Sequence, residues 1–489
     1  MVLLSAGGED AFIKQAQDIG SFFSSLDSSV RVRVVSHFDC DGISAASILL
    51  KYFNRHGIRY THTSVPHLDK RILKGFTSEE FTHLVFIDLG SGYVDAIGDL
   101  FSVPVCILDH HACASDVRFP EHVRILNPHL HGVDGSKDIS ASGVVYHALR
   151  PIDESMGKLS HLAVIGAVGD NQSQPEFSGL NKKILDEACS EGVVRIRKMI
   201  RIDGGLRKPL FRQLQQSSNL KIPGVSGTTE GGKALLEEAN VPLRYEGRWL
   251  YYADLTQLQE ERLAKAIIGR RRDEQEPEDI YGYHYEVPSE RKTSHLRDAG
   301  EYSTVLNACG RMERASMGVA LCLGSMGARE QVERIVQEYK DELTSVMTWF
   351  KEHANDESCM IRGDGHLIIR AKDALRPSVI GTLGSMLTCS GMVPAGTVVI
   401  VTAHLPENNT LKISARSRDC QVNLRDVIAP VVSAKGGDAG GHVNAAGGLL
   451  DISQEEAFYE AIGQTLYRLS LEENVRCAPS HGQHGSGKD

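Results

Sequence analysis

The N-terminal part of the sequence repeats one pattern: a short apolar segment ends at an acidic residue. Four segments share it, namely 32–35 before Asp39, 84–87 before Asp88, 103–108 before Asp109 and 162–168 before Asp170. Because alternating strands and helices form parallel sheets, we interpret all four segments as strands of a doubly wound α/β domain. The carboxyl ends of parallel strands lie at one edge of the sheet, so the sequence predicts that these acids converge there.

The hydrophobic pattern divides the chain into four parts. Residues 1–189 form the α/β domain, which opens with an amphipathic helix over 10–26. Residues 190–300 are predicted to be a helical middle domain, with helices over 192–201 and 256–272. Residues 301–474 are predicted to form a smaller C-terminal α/β domain with strands at 367–369, 396–402 and 411–415. The small polar residues of 475–489 predict a disordered tail.

Composition excludes several classes of protein. No stretch approaches the roughly 18 continuous apolar residues that a membrane span needs, so we predict no membrane association. The N-terminus carries no signal-peptide pattern, which predicts a cytoplasmic protein. The ten cysteines include no C-x-x-C pair, which argues against a zinc ribbon or a redox motif. With 53 basic and 63 acidic residues the net charge is −10, which disfavours non-specific coating of nucleic acid.

The segment after the first predicted strand, from His37 to Gly42, reads H-x-D-x-D-G. Alternate residues of an extended segment point the same way, so His37, Asp39 and Asp41 present one imidazole and two carboxylates to a common site. These ligands suit Mn²⁺ or Mg²⁺ better than a metal that prefers thiolates. Standing alone, the motif is also compatible with a solvated acidic loop that caps a helix.

The later strand ends favour a metal site over a capping loop. Asp109 is followed by His110 and His111, and burying these three polar groups requires partners. With Asp88 and Asp170 the set is large enough for two divalent metal ions, an arrangement that activates water and stabilises a phosphoryl group. Gathered carboxylates repel one another unless cations offset their charge. We therefore expect two divalent ions, Mn²⁺ or Mg²⁺, at this edge of the sheet.

These residues resemble, in order and spacing, the four motifs of the DHH phosphoesterase superfamily: H-x-D-x-D-G at 37–42, Asp88, D-H-H at 109–111 and Asp170. The segments 413–417 and 440–447 resemble the DHH-associated domain that accompanies them. Further segments at 127–135, 139–143 and 306–312 are similar to the archaeal RecJ-like nucleases. That subgroup includes the nuclease associated with the GINS replication complex and is related to a eukaryotic helicase cofactor whose metal site has decayed. No metal motif departs from the family pattern, which implies an active enzyme.

The resemblance implies a role for each motif residue. The expected metal ligands form two sets that share Asp88: His37 and Asp39 for one ion, and Asp41, His110 and Asp170 for the other. His111 would lie by the scissile phosphate, and Asp109 would support the histidines, as metal-bound imidazoles commonly require. Asp88, Asp109 and His111 are therefore the expected catalytic residues.

The DHH-associated domain is expected to bind the substrate phosphate. The resemblance implies five binding residues: Ser414, Arg416, Gly440, Gly441 and His442. Glycines let backbone N–H groups approach a phosphate, while Arg416 and His442 can donate charged hydrogen bonds to it.

A basic run lies at the start of the predicted middle domain. Its first four cations are Arg195, Arg197, Lys198 and Arg201. Such a run can follow the backbone of a single strand of nucleic acid, and a solvated helix face accounts for it equally well.

The motifs together predict a metal-dependent single-strand exonuclease that releases mononucleotides from DNA or RNA in replication or repair. Two alternatives remain open. One is hydrolysis of very short RNAs or dinucleotides by the same chemistry. The other is a scaffold subunit that binds the replicative helicase with GINS through the middle domain.

Overall fold

The computed structural model describes residues 8–113, 120–202, 208–217, 220–274, 276–291, 294–389, 392–394, 396–406, 409–417 and 422–477. The chain forms two compact units, Met1–Gln337 and Glu338–Asp489. None of the helices in the described ranges combines the length and the apolar character that a membrane crossing requires.

The first unit begins with an α/β part, as predicted. Its elements in chain order are α1 Gly8–Ser24, β1 Arg31–His37, α2 Cys40–His56, β2 Arg59–Val65, α3 Lys70–Phe76, β3 His83–Ile87, α4 Val94–Leu100, β4 Val105–Leu108, β5 Val123–Leu126, α5 Ala141–Leu149, α6 Ser160–Gly169 and α7 Gly179–Ser190. The five strands pair in parallel in the order β2-β1-β3-β4-β5. Helices α3 and α4 cover one face, and α1, α2 and α5 contact the other. The doubly wound parallel sheet is confirmed.

One predicted strand of this sheet is wrong. The apolar segment 162–168 lies in α6, which packs against α2, α5, α7 and α11 (Ala299–Arg311). A helix enclosed by other helices is apolar on all sides, so its sequence has no periodicity that separates it from a buried strand. The edge strands β2 and β5 were not predicted. Strand β2 alternates between exposed and partly exposed residues, because it lies at the rim of the sheet.

The middle part of the first unit mixes helices with short strands. Its elements are β6 Arg195–Ile200, α8 Leu210–Gln216, α9 Thr229–Glu238, β7 Arg244–Tyr245, β8 Arg248–Trp249, α10 Gln257–Arg270 and β9 Tyr281–Glu286. The prediction of α10 is confirmed, but the predicted helix over 192–201 is wrong. Residues 195–200 form β6, which pairs antiparallel with β9. This pairing joins segments more than about eighty residues apart, so the hydrophobic periodicity of either segment alone does not predict it.

Three helices follow the middle part: α11, α12 Ala315–Cys322 and α13 Met326–His353. Helices α11 and α12 pack against α2. The boundary between the two compact units falls after residue 337, inside α13.

The second unit contains a mixed sheet. Its elements are β10 Met360–Gly363, β11 His366–Lys372, α14 Ile380–Cys389, β12 Val398–Leu405, β13 Thr410–Arg416, α15 Leu424–Ser433, β14 Asp438–His442, β15 Ala445–Asp451 and α16 Glu455–Cys477. The strand order is β10-β11-β12-β13-β15-β14. The three strands predicted for this region are confirmed. Of the predicted tail, residues 475–477 end α16, and 478–489 lie outside the described residues.

Candidate metal centre

The turn from β1 into α2 places the first three candidate ligands. His37 ends β1, Asp39 caps α2 by accepting a hydrogen bond from the Gly42 amide at 3.1 Å, and Asp41 lies in the first turn. A side chain at Gly42 would put its Cβ 2.4 Å from the His37 carbonyl oxygen. Glycine therefore permits the tight turn that keeps the imidazole and both carboxylates together.

The N-terminus of helix α5 binds the carboxylate of Asp41. Its carboxylate accepts hydrogen bonds from the backbone amides of Ala141 and Ser142, at 2.6 Å and 3.0 Å, in the first turn of α5. A helix N-terminus favours a negative charge, which offsets part of the cost of burying this carboxylate. Gly166 of α6 also faces the group, because a Cβ there would lie 2.4 Å from Asp41 Oδ1.

The ends of β3 and β4 supply the next two carboxylates. Asp88 follows β3 in the left-handed region at a φ of 61°, and its amide donates to the Leu108 carbonyl at 2.8 Å. Asp109 follows β4 and accepts backbone hydrogen bonds from Ser91, His110 and His111. Asp109 therefore fixes the turn that aims the two histidines.

The hydrogen bonds of His110 determine which of its ring nitrogens faces the acids. Nδ1 lies 2.6 Å from the Gly135 carbonyl, which only accepts, so Nδ1 carries the proton in the neutral ring. Nε2 lies 3.2 Å from Asp88 Oδ1, 3.8 Å from Asp170 Oδ2 and 3.9 Å from Asp41 Oδ2. The neutral imidazole thus turns a lone pair toward three carboxylates, as a metal ligand does.

The other two histidines flank this cluster. Nδ1 of His37 lies 3.0 Å from Asp39 Oδ2 and 3.4 Å from Asp88 Oδ2. Nδ1 of His111 lies 2.8 Å from Asp109 Oδ1, and the His111 side chain is 42% exposed. His111 is therefore oriented by a buried carboxylate while its ring stays accessible to a substrate.

Ligand atoms from these residues form three sets, and within each set the atoms lie within 4.8 Å of one another. The sets are His37, Asp39 and Asp88; Asp41, His110 and Asp170; and Asp88, His110 and His111. The structure brings together all six predicted metal ligands and places Asp88 in two of the sets. Asp170 reaches the cluster from the C-terminal end of α6 rather than from a strand.

The electrostatics of the cluster fit a cation. Burial and the charges of Asp88 and Asp170 raise the pKa of Asp41 to about 7, and burial and neighbouring carboxylates also raise the pKa of Asp170. Burial lowers the pKa of His110, but the surrounding carboxylates outweigh it and raise that pKa well above its usual value. Without a metal, protons offset the gathered negative charge.

Asp88 Oδ1 gives a more local test of the fit. This oxygen is buried and accepts no hydrogen bond from the described residues, although His110 Nε2 lies 3.2 Å away. Two acceptors that face each other at this distance require a proton or a cation between them. A divalent ion meets that requirement at both atoms, so the residues present fit the metal.

Three buried amides stabilise the site and were not assigned roles from the sequence. Gln172 Nε2 donates to Asp170 Oδ2 at 2.7 Å and to the Gly135 carbonyl at 3.0 Å, and Gln172 Oε1 accepts from Asn181 at 2.7 Å. Asn127 donates to Ser91 Oγ and to the His111 carbonyl. Only Asn127 carried a sequence signal, as part of the segment 127–135.

The second unit contains the predicted phosphate-binding residues. Arg416 donates to Ser414 Oγ at 3.0 Å and to Ser385 Oγ at 3.2 Å. Gly381 of α14 faces this guanidinium, and a Cβ there would lie 2.8 Å from Nη2. The strand β13 and the helix α14 thus leave room around a cationic, hydroxyl-lined group.

The predicted glycines of the second unit lie on β14. Gly440 and Gly441 pair with Gly447 and Ala446 of β15. Gly441 has a φ of 141°, and a Cβ there would lie 2.4 Å from the Ala445 carbonyl oxygen. His442 ends β14, and its side chain lies outside the described residues.

The predicted basic run is partly engaged in ion pairs. Arg195, Arg197 and Lys198 lie on β6, with Arg201 just beyond it. Arg197 pairs with Glu286 at 3.1 Å and Arg201 with Asp279 at 3.0 Å. These contacts reduce the positive charge available to a nucleic-acid backbone.

Comparisons with known proteins agree with this geometry. Three family models match separate parts of the chain: the DHH family N-terminal domain matches residues 31–169, the DHH-CID domain 204–279 and the DHHA1 domain 364–468. The three matches together assign the chain to the DHH superfamily. That superfamily is one of phosphoesterases and nucleases, and the metal-ligand cluster lies within and directly after the residues matched to the DHH domain.

The DHH-superfamily chain is similar to an uncharacterized protein of Methanocaldococcus jannaschii, with 28% identity over 448 residues, 89% of this chain and 94% of the relative. Manganese-bound RecJ from Thermus thermophilus matches with a TM-score of 0.56 at 15% identity. That match covers 93% of this chain and 55% of RecJ, so this chain spans about half the length of that protein. CDC45 from Entamoeba histolytica matches with a TM-score of 0.56 at 11% identity, over 93% and 98% of the two chains. The fold is RecJ-like.

Proposed function

We propose that this protein is a phosphodiesterase that depends on two divalent metal ions and removes mononucleotides from the ends of single-stranded DNA or RNA. One observation carries the proposal: the buried Asp88 Oδ1 lies 3.2 Å from His110 Nε2 inside a cluster of carboxylates, a separation at which a proton or a cation must lie between the two atoms. RecJ from Thermus thermophilus has been crystallised with Mn²⁺ and, separately, with Mg²⁺. These structures support Mn²⁺ as the preferred cofactor of this chain and Mg²⁺ as the alternative.

The metal-binding residues form two ligand sets, one for each ion. His37 and Asp39 would hold one ion, Asp41, His110 and Asp170 the other, and Asp88 would contact both. Bound divalent ions supply Lewis acidity, which activates water and offsets the charge that develops on the phosphate. The hydrogen bond from His110 Nδ1 to the Gly135 carbonyl keeps Nε2 available as a ligand.

The remaining residues position the substrate. Asp109 holds Nδ1 of His111, so the partly exposed ring of His111 is oriented to donate a hydrogen bond to the scissile phosphate. Burial opposes ionisation of Asp109, but His111 and His110 hold the pKa of Asp109 well below its usual range. Arg416 and Ser414 would bind a terminal phosphate, and recognition of a chain end favours exonuclease action over internal cleavage.

The experiment is a Mn²⁺ titration of cleavage on single strands labelled separately at the 5′ end and the 3′ end. Early release of a labelled mononucleotide from only one of the two labels supports the proposal and gives the polarity. Asp170→Asn should remove the activity, while Asp95→Asn, an exposed aspartate on α4, is the matched control. Cleavage in EDTA, or by Asp170→Asn, would contradict the proposal.

The same assay separates the two alternatives. Fast hydrolysis of dinucleotides beside slow hydrolysis of long strands would favour the short-RNA or dinucleotide phosphodiesterase. Absence of metal-dependent cleavage on DNA, RNA and dinucleotides would favour the scaffold, and binding of GINS to the Asp170→Asn chain would then test that role.

A further inference from the structure

The ribbon formed by β6 and β9 carries an exposed row of aromatic and basic side chains. Cross-strand pairs share a face, so Ile196, Lys198, Tyr283 and Tyr281 project from the same side of the ribbon. Tyr283 is 41% exposed and Tyr281 37% exposed. Two neighbouring exposed rings beside a lysine form a surface on which unpaired bases can stack.

The charges on the ribbon are not equivalent. Arg197 pairs with Glu286, which also pairs with Arg297, and Arg201 pairs with Asp279. Lys198 instead contacts an aromatic ring, with its Nζ 5.6 Å from the centroid of Tyr281. A cation beside an exposed ring can meet a phosphate while the ring meets a base.

The ribbon packs against the loop that follows Asp170. Tyr285 of β9 is buried, and its ring contacts the ring of Phe177 at a centroid distance of 4.8 Å. Phe177 lies in the loop between Asp170 and α7. The exposed tyrosines therefore lie on a strand that packs against the segment carrying a candidate metal ligand.

We propose that the row Lys198, Tyr281 and Tyr283 is a platform that binds single-stranded nucleic acid by base stacking. The inference rests on the proposed function and extends it, because it names the bases as well as the phosphates of the substrate as recognised groups. Single strands fit best, since only unpaired bases offer their faces to aromatic rings. Sequence preference is weak, because every base has such a face.

The test measures binding of the full chain to a fluorescent single-stranded oligonucleotide in EDTA, where hydrolysis does not contribute. Tyr283→Leu and Tyr281→Leu should each weaken binding about tenfold, because each variant loses one ring on which a base stacks. Tyr283→Phe should bind as the unmodified chain does. Tyr245→Leu is the matched control, since Tyr245 is 44% exposed on β7.

Two further measurements identify the interaction. On an oligonucleotide with abasic sites the effect of Tyr283→Leu should disappear, because the stacked bases are missing. Lys198→Gln should lower the slope of log affinity against log salt by about 0.7, the value for one phosphate contact on a single strand. Equal losses for Tyr245→Leu and Tyr283→Leu, or an unchanged Tyr283→Leu affinity, would overturn the platform.

The outcome is separable from that of the proposed function. Hydrolysis of bis(4-nitrophenyl) phosphate by the unmodified chain with Mn²⁺ tests the metal centre without any base. Tyrosine-dependent binding without this hydrolysis would overturn the proposed activity and leave the platform standing. Hydrolysis without tyrosine-dependent binding would overturn the platform and leave the proposed activity standing. The exposed rings would then fit a protein partner.

Discussion

The parallel sheet of the first unit and the mixed sheet of the second unit present their candidate functional residues in different ways. In the first, most of the candidate residues lie in turns beyond the ends of β1, β3 and β4, and their carboxylates gather negative charge. In the second, Ser414 and Arg416 lie on β13 itself and present a positive charge. Each group therefore favours a ligand of opposite sign: a metal cation at the first and a phosphate at the second.

The two groups also differ in what holds them in place. The first depends on buried donors, namely the α5 amides that bind Asp41 and the Gln172 amide that binds Asp170. In the second, Arg416 donates hydrogen bonds to the hydroxyls of Ser414 and Ser385, and Gly381 leaves space beside the guanidinium. A buried cluster of like charges needs such donors to offset its repulsion when no ion is bound.

The largest expected effect comes from removing the shared carboxylate. Asp88→Asn should lower the rate of mononucleotide release on the order of 10³-fold or more, because both ligand sets lose a charged member. Retention of more than a tenth of the activity would break the assignment of Asp88 as a bridging ligand.

Arg416→Ala tests the predicted phosphate-binding residues of the second unit, and its expected effect on the kinetics is smaller than that of Asp88→Asn. We expect KM for a substrate with a terminal phosphate to rise by about 10- to 100-fold, the range for losing a charged hydrogen bond, with little change in kcat. For a substrate without that phosphate, KM should differ little between Arg416→Ala and the unmodified chain. Arg416→Lys should recover only part of the loss, because an ammonium cannot form the forked contact of a guanidinium.

Gln172→Leu tests the buried amide behind the metal centre. Loss of the hydrogen bonds to Asp170 and the Gly135 carbonyl should weaken Mn²⁺ binding about tenfold, as measured by calorimetry. Gln213→Leu is the matched control, because Gln213 is equally buried in the middle part and donates to the Lys208 carbonyl. Equal Mn²⁺ affinities in the two variants would show that Gln172 is structural only.

The smallest effect is a pH dependence confined to the first group. The pKa of Asp41 is raised to about 7 without metal, so below that pH the proton competes with the ion. Mn²⁺ affinity should therefore rise with pH, and this carboxyl alone should contribute about tenfold between about pH 6 and about pH 8. Asp41→Asn should flatten the profile, and an affinity that falls with pH would contradict it.

Sequence patterns predicted the central strands β1, β3 and β4 because these strands are apolar and end at polar residues. They failed for α6 and β6, since the helix is apolar on all sides and the strand is defined by its partner β9. The candidate ligands were predictable because their chemistry is unusual at strand ends. Gln172 was not, because a glutamine two residues after Asp170 has no distinctive signal until its partners are known.

The sequence by itself determined the types of ligand, the parallel sheet that gathers them and the resemblance to the DHH superfamily. These features depend on residue chemistry and short spacing. Only the tertiary structure decided which nitrogen of His110 faces the acids, which arginines of β6 are already paired, and that Asp170 arrives from a helix. Each of these depends on contacts between segments far apart in the chain, and local patterns do not encode such contacts.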